Sequence, residues 1–199
     1  MAKGRGQPVQ GEACVAYLVM DQSQYLEGRI GAEAFTVCPP IRDEGHRKAL
    51  WHALANGTLD IISTDHDPRL HSDDPPSYPP GISSVEVRLA LVHEFGVRAG
   101  RLSLSQWVEV CCTRPARLLG MARKGRLVPG YDADVVLFDP HLEVTLSKQL
   151  LHSPLNYCSY EWLRIQGYPV LTISRGEVIV KDGRYLGSLG HGRFVERGF

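Results

Sequence analysis

Apolar and polar positions alternate in two different rhythms along this chain. Over the first two thirds, short apolar runs are separated by helix-length segments. Val9 to Cys14 reads as a strand, and so does Ala34 to Cys38, which stops at Pro39-Pro40. Asp43 to Ala55 carries Ala49, Leu50, Ala53 and Leu54 at helical spacing, with Asn56-Gly57 as its C-terminal stop. Leu59 to Thr64 predicts a strand that runs into Asp65-His66-Asp67-Pro68. A Pro-rich loop from Pro75 to Gly81 leads to a helix over Ser84 to Phe95, with Val85, Leu89, Val92 and Phe95 on one face. A third helix comes after Ser103, from Leu104 to Cys112, and Thr113-Arg114-Pro115 opens a fourth that ends at Gly120. Strand and helix in this order predict βα units around a parallel sheet.

The last third is β-rich. Asp134 to Phe138, Val170 to Ser174 and Glu177 to Val180 are strand-like, and Ser174-Arg175-Gly176-Glu177 is a hairpin signal. The fold class is therefore α/β, with residues 1–123 as βα units and 124–199 as a small antiparallel β module ending in a Gly-rich tail (Gly187, Gly190, Gly192).

Composition narrows the function. Among 199 residues, 22 Lys+Arg balance 22 Asp+Glu, and that neutrality argues against nucleic-acid or membrane-surface partners. No apolar run approaches the ~18 residues that span a bilayer, and the first residues lack a signal-peptide core. The length falls short of a complete eight-fold barrel, which takes ~250 residues. Five cysteines (Cys14, Cys38, Cys111, Cys112, Cys158) include no CxxC pair, which fits buried thiols in a reducing, cytoplasmic setting.

The most suggestive chemistry is Ser63-Thr64-Asp65-His66-Asp67, placed where a strand ends in a loop. In βα architectures that end carries the reactive groups, and a carboxylate there can bind a metal and accept a proton. The pattern alone also suits an Asp65 that caps a turn and a His66 on the surface. No HxH pair, HExxH or nucleophile elbow occurs, and Gly28 and Gly31 lack a phosphate-loop context. His46 and His52, six apart on one helix, do not share a face. His71, His93, His141 and His152 are expected to be exposed or capping, and Trp51, Trp107 and Trp162 to be core. Cys38 as a nucleophile lacks an accompanying His–Asp pair.

Taken together, these stretches resemble the C-terminal part of the dihydropyrimidinase/hydantoinase group of the amidohydrolase superfamily. The residues that carry the resemblance are Gly11-Glu-Ala-Cys-Val-Ala-Tyr-Leu18, Val37-Cys-Pro-Pro-Ile-Arg-Asp43 and Leu59-Asp-Ile-Ile-Ser-Thr-Asp-His66. They continue through Val85-Glu-Val-Arg-Leu89, Cys112-Thr-Arg-Pro-Ala-Arg117, the stretch from Arg123 to Pro140, and Gly167 to Gly183. The resemblance implies the terminal βα units of a metal-dependent-hydrolase TIM barrel plus a small C-terminal β-sandwich module. It implies hydrolysis of the ring C–N amide bond of dihydropyrimidines or hydantoins, two divalent metals, usually zinc, and a homotetramer.

By the same resemblance, Asp65 is the last metal ligand and the proton shuttle, and Cys38, Pro80 and Gly81 fall at substrate-binding positions. The family's HxH pair, lysine and two further histidines lie upstream of the motif that begins here at Gly11. The chain is thus expected to be a fragment, inert alone. Two departures stand out: Cys38 replaces a serine, and Pro80 replaces an asparagine that binds through its backbone, whereas proline has no N–H to donate. Alternatives are a non-catalytic oligomeric scaffold related to dihydropyrimidinase, or an allantoinase or dihydroorotase relative.

Overall fold

The computed structural model describes residues 2–26, 32–67, 81–161 and 163–198. Strand β1 (Glu12–Cys14) pairs in parallel with β2 (Ile61–Ser63), in the register Glu12 to Ile61, Ala13 to Ile62 and Cys14 to Ser63. Asp60 locks the start of both strands, since its carboxylate accepts from the Gly11 amide at 2.8 Å and from Lys3 Nζ at 2.6 Å. Burial works against the Asp60 charge, but these two donors hold its carboxyl below the ordinary range.

Between the strands run α1 (Val15–Val19) and α2 (Glu44–Ala55). Asp43 caps α2 by accepting from the amides of Gly45 and His46. Trp51 then buries its ring, and its indole N–H donates to the Leu18 carbonyl at 2.8 Å, while Arg47 donates to the Val19 carbonyl at 3.0 Å. The orphan carbonyls at the end of α1 are thereby satisfied by the face of α2. Arg101 covers the other side of the Trp51 ring, 5.6 Å from its centroid.

Several elements differ from the sequence expectations. Ala34 to Cys38 is not a strand: a 3-10 turn (Ala32–Phe35) precedes an irregular stretch whose Thr36 carbonyl accepts from Gly81. Ala34, Phe35 and Val37 bury their side chains without strand pairing, and Cys38 ahead of the two prolines stays exposed. The helix expected from Ser84 begins later, as α3 (Arg88–Val92), and continues as a π-helical turn (His93–Arg98). Val85 is accordingly 59% exposed rather than on a core face.

The third and fourth helices prove to be one, made of α4 (Leu104–Val108), a π-helical turn (Glu109–Thr113) and α5 (Arg114–Leu118). Pro115 cannot donate to the Cys111 carbonyl four residues back, so the helix widens instead of stopping. Arg88 takes that carbonyl at 3.3 Å and also donates to the Ile62 carbonyl of β2 at 2.9 Å. The expected start at Ser103 holds, with a reciprocal capping box to Gln106.

The β-rich third forms one four-stranded antiparallel sheet: β3 (Val135–Thr145), β4 (Arg164–Ser174), β5 (Glu177–Lys181) and β6 (Arg184–Tyr185). Arg175 and Gly176 make the expected hairpin turn with φ of 49° and 86°, and the turn is tied back by the Arg175 amide to Asp134 at 2.8 Å. β3 and β4 run longer than expected because bulges near Phe138 and Asp139 absorb Pro140 and Pro169 without ending the pairing. The sheet docks on the helical part through His93. That side chain is buried, not exposed as expected, and its Nδ1–H donates to the Gln166 carbonyl at 3.0 Å. Glu94 accepts the Gln166 amide at 2.8 Å. Gly167 permits the approach, because a Cβ there would sit 2.4 Å from His93 Nδ1. No helix among the described residues is long and apolar enough to cross a membrane.

Candidate active site

Both parallel strands end on the same side, and the reactive residue types gather there. Cys14 and Ser63, the last residues of β1 and β2, sit opposite each other with Sγ and Oγ 3.3 Å apart. Two residues beyond Ser63, Asp65 turns the chain out of the sheet with φ of 47°. Aspartate tolerates that left-handed conformation better than most residues, at a cost of about 1 kcal/mol. The result is an exposed carboxylate held at the strand ends rather than folded into the sheet.

Tyr17, on α1 directly after β1, connects Asp65 to the second predicted segment. Its hydroxyl donates to the Pro39 carbonyl at 2.7 Å, so the exposed Cys38 is held next to the same cluster. Burial pushes the Tyr17 phenol up to about 12, with the charges of Cys14, Asp65 and Cys38 adding to the rise. Burial also pushes the Cys14 thiol up, and the Asp65 charge adds to it. Tyr25 completes the frame by accepting the Ile41 amide at 3.0 Å.

Gly81 enters from the opposite side. It is buried, donates to the Thr36 carbonyl at 2.7 Å, and leaves no room for a side chain, since a Cβ would fall 1.9 Å from the Asp67 carbonyl oxygen. His66 anchors the segment after Gly81: its Nδ1 accepts from the amides of both Ser84 and Val85 at 3.2 Å. That nitrogen is therefore unprotonated, and the ring proton lies on Nε2. Asp65, Cys38 and Gly81 are thus brought to one rim, whereas Pro80 and His71 lie outside the described residues, as does Trp162.

Other candidates fall elsewhere. His46 and His52 are exposed on α2, His141 is exposed on the β3 side, and His152 pairs with Glu86 at 2.6 Å. Trp51 is core and Trp107 is partly buried against His93 and Phe138. Among the described residues no three His, Cys, Asp or Glu side chains converge as a metal cage. Tyr17, Ser84 and Arg88 were not singled out as site residues in the sequence. Tyr17 alone had a usable signal, three residues past Cys14 on the same helical turn.

Residues 38–179 match the family model described as Amidohydrolase family. The chain belongs to that family. Across 98% of its length it is 34% identical to a D-hydantoinase of Geobacillus stearothermophilus and 38% identical to one of Rhizobium radiobacter. It spans 43% and 44% of those proteins. The crystal structure of dihydropyrimidinase from Brevibacillus agri NCHU1002 superposes with a TM-score of 0.94 at 33% identity, over 98% of this chain and 44% of that one. These matches agree with the dihydropyrimidinase/hydantoinase resemblance drawn from the motifs. The chain spans less than half the length of the relatives it matches.

Proposed function

We propose that this chain is a portion of a metal-dependent cyclic amidohydrolase that hydrolyses the ring C–N amide bond of dihydropyrimidines or hydantoins. In this reading residues 1–123 are terminal βα units of a (β/α) barrel, and residues 124–199 are a small sandwich-type β module. One observation carries it. Asp65 presents an exposed carboxylate at the C-terminal ends of two parallel strands, beside Cys38 and Gly81, in a chain whose relatives are hydantoinases. Strand C-termini are where such barrels place their chemistry.

A catalytic zinc takes about three protein ligands. The described residues do not fit a complete metal site, because no three His, Cys, Asp or Glu side chains among them converge around Asp65. The reading assigns the remaining ligands to the part of such a protein that lies outside this chain. A bound divalent metal would supply a water of lowered pKa and polarise the ring carbonyl. The task of Asp65 is to accept a proton from the attacking water at a carboxylate oxygen. The backbone at Cys38 and Gly81 is assigned to the substrate amide, and Pro80 offers no N–H for such a contact.

All five thiols are free, which suits a reducing cytoplasm. The test is to express the chain alone and joined to the upstream half of a D-hydantoinase, then assay opening of hydantoin and dihydrouracil with added zinc. Activity only in the joined protein is expected. A joined protein that folds, binds zinc and opens neither ring refutes the reading.

A further inference from the structure

The segment between β3 and β4 reaches back across the molecule and grips both sides of the Asp65 rim. Tyr160, 2% exposed, places its hydroxyl 2.8 Å from Ser84 Oγ, and Ser84 is fully buried. Ser84 is the residue whose amide donates to His66 Nδ1. The adjacent Ser159, 5% exposed, donates to the Ala34 carbonyl at 2.6 Å. Ala34 stands two residues before Thr36, whose carbonyl receives the Gly81 amide, and four before Cys38. Two neighbouring hydroxyls therefore fix the two chain segments that meet at the rim, one through Ser84 and His66, the other through Ala34.

The chemistry of these contacts is specific. A buried hydroxyl left without a partner forfeits its hydration with nothing in return, so Tyr160 and Ser84 hold each other to one geometry. That geometry aims the Ser84 and Val85 amides at one imidazole nitrogen and thereby selects the tautomer of His66. His66 is bonded covalently to Asp65, and its ring position limits the turn that carries the carboxylate. An apolar pair of the same shape would fill the volume equally well but would impose no direction on the amides.

The geometry points to Tyr160 and Ser159 as positioning residues for the rim that carries Asp65, acting through Ser84–His66 and through Ala34. The inference rests on the reading of Asp65 as the active-site carboxylate, but its test does not use activity or metal. The chain labelled with 15N in its histidines and amides is compared with Tyr160→Phe, which removes only the hydroxyl. In the parent, the His66 nitrogens should show a bare Nδ1 and a protonated Nε2.

In Tyr160→Phe the His66 nitrogen signals should move toward tautomer exchange. The Ser84 and Val85 amides should exchange about tenfold faster, while amides in α2 change less than twofold. Ser84→Ala removes the same pair from the other side and should reproduce the pattern, and it is read in place of Tyr160→Phe if that variant does not fold. Unaltered His66 signals overturn the inference, as does faster exchange spread evenly over α2, which would make Tyr160 an ordinary core residue. Failure of ring opening in the joined protein would refute the hydrolase reading while leaving this result standing.

Discussion

The two sheets of this molecule are built on opposite principles. The β3–β6 sheet is assembled from neighbours in the chain, with two-residue turns at Arg175-Gly176 and Asp182-Gly183 that supply their own positive φ. The β1–β2 pair joins residues about fifty positions apart by three residues each; Asp60, just before β2, ties it to the Gly11 amide, Arg88 of α3 holds the Ile62 carbonyl, and Trp51 of α2 fixes α1, which follows β1. The local sheet carries none of the proposed site residues. The non-local one ends in Cys14, Ser63 and Asp65. In the proposed reading, the chemistry sits where the strands are short, shared and held from outside, and the hairpins serve as a platform.

The sharpest way to break this contrast is Trp51→Ala. Removing a buried tryptophan should cost about 3–5 kcal/mol. Amide exchange should rise through β1, α1 and α2 well before it rises in β3–β5. Urea unfolding monitored by exchange checks this, and equal loosening of both sheets would mean that the local sheet is not self-sufficient.

A smaller change of opposite sign is expected at Asp65. Asp65→Gly relieves the positive φ and should stabilise the chain by about 1 kcal/mol, seen as a higher urea midpoint. At Gly176, which also has positive φ, Gly176→Ala should destabilise by a similar ~1 kcal/mol, confined to the hairpin.

How legible these regions were in the sequence obeys the same division. The Arg175-Gly176 hairpin, the Asp43 and Ser103 caps and the turn at Asp65 are set by residues within a few positions of each other. The hairpin, the helix start after Ser103 and the strand ending at Asp65 can be read from the chain, whereas Asp43 reads as the first helical residue and proves to be the cap. Pro115 looked like a helix start, but its missing N–H is absorbed because Arg88, far away in sequence, takes the freed carbonyl. His93 looked exposed because nothing local reveals that Gly167 opens a space for it. At the rim, the motif pointed to Asp65 and Cys38. Tyr160 and Ser84, which brace it, lie 76 positions apart and had no pattern in common.

Two histidines sharpen the comparison through pH, with smaller effects. Burial holds the His93 imidazole below its ordinary pKa, so the unfolded chain binds more protons in mild acid, and stability should fall as pH drops below about 6.5. His152 behaves in the reverse way. Its hydrogen bond to Glu86 raises its pKa, so the stability it contributes is complete in acid and is lost as pH rises through the raised value. Unfolding midpoints across pH 5–9 should show the alkaline loss disappear in His152→Ala and the acid loss persist; the same alkaline loss in both proteins would mean that His152 is not its source.

The central claim, that Asp65 is an active-site carboxylate rather than a turn residue, is tested most directly by Asp65→Asn in the chain joined to the upstream half of a D-hydantoinase. Asparagine keeps the shape and tolerates the same backbone, so the fold should persist with an unchanged urea midpoint. Ring opening should fall by at least ~10²-fold, the scale of a lost general base, and bound zinc should drop. Full activity and unchanged zinc content in a folded Asp65→Asn protein would contradict the account.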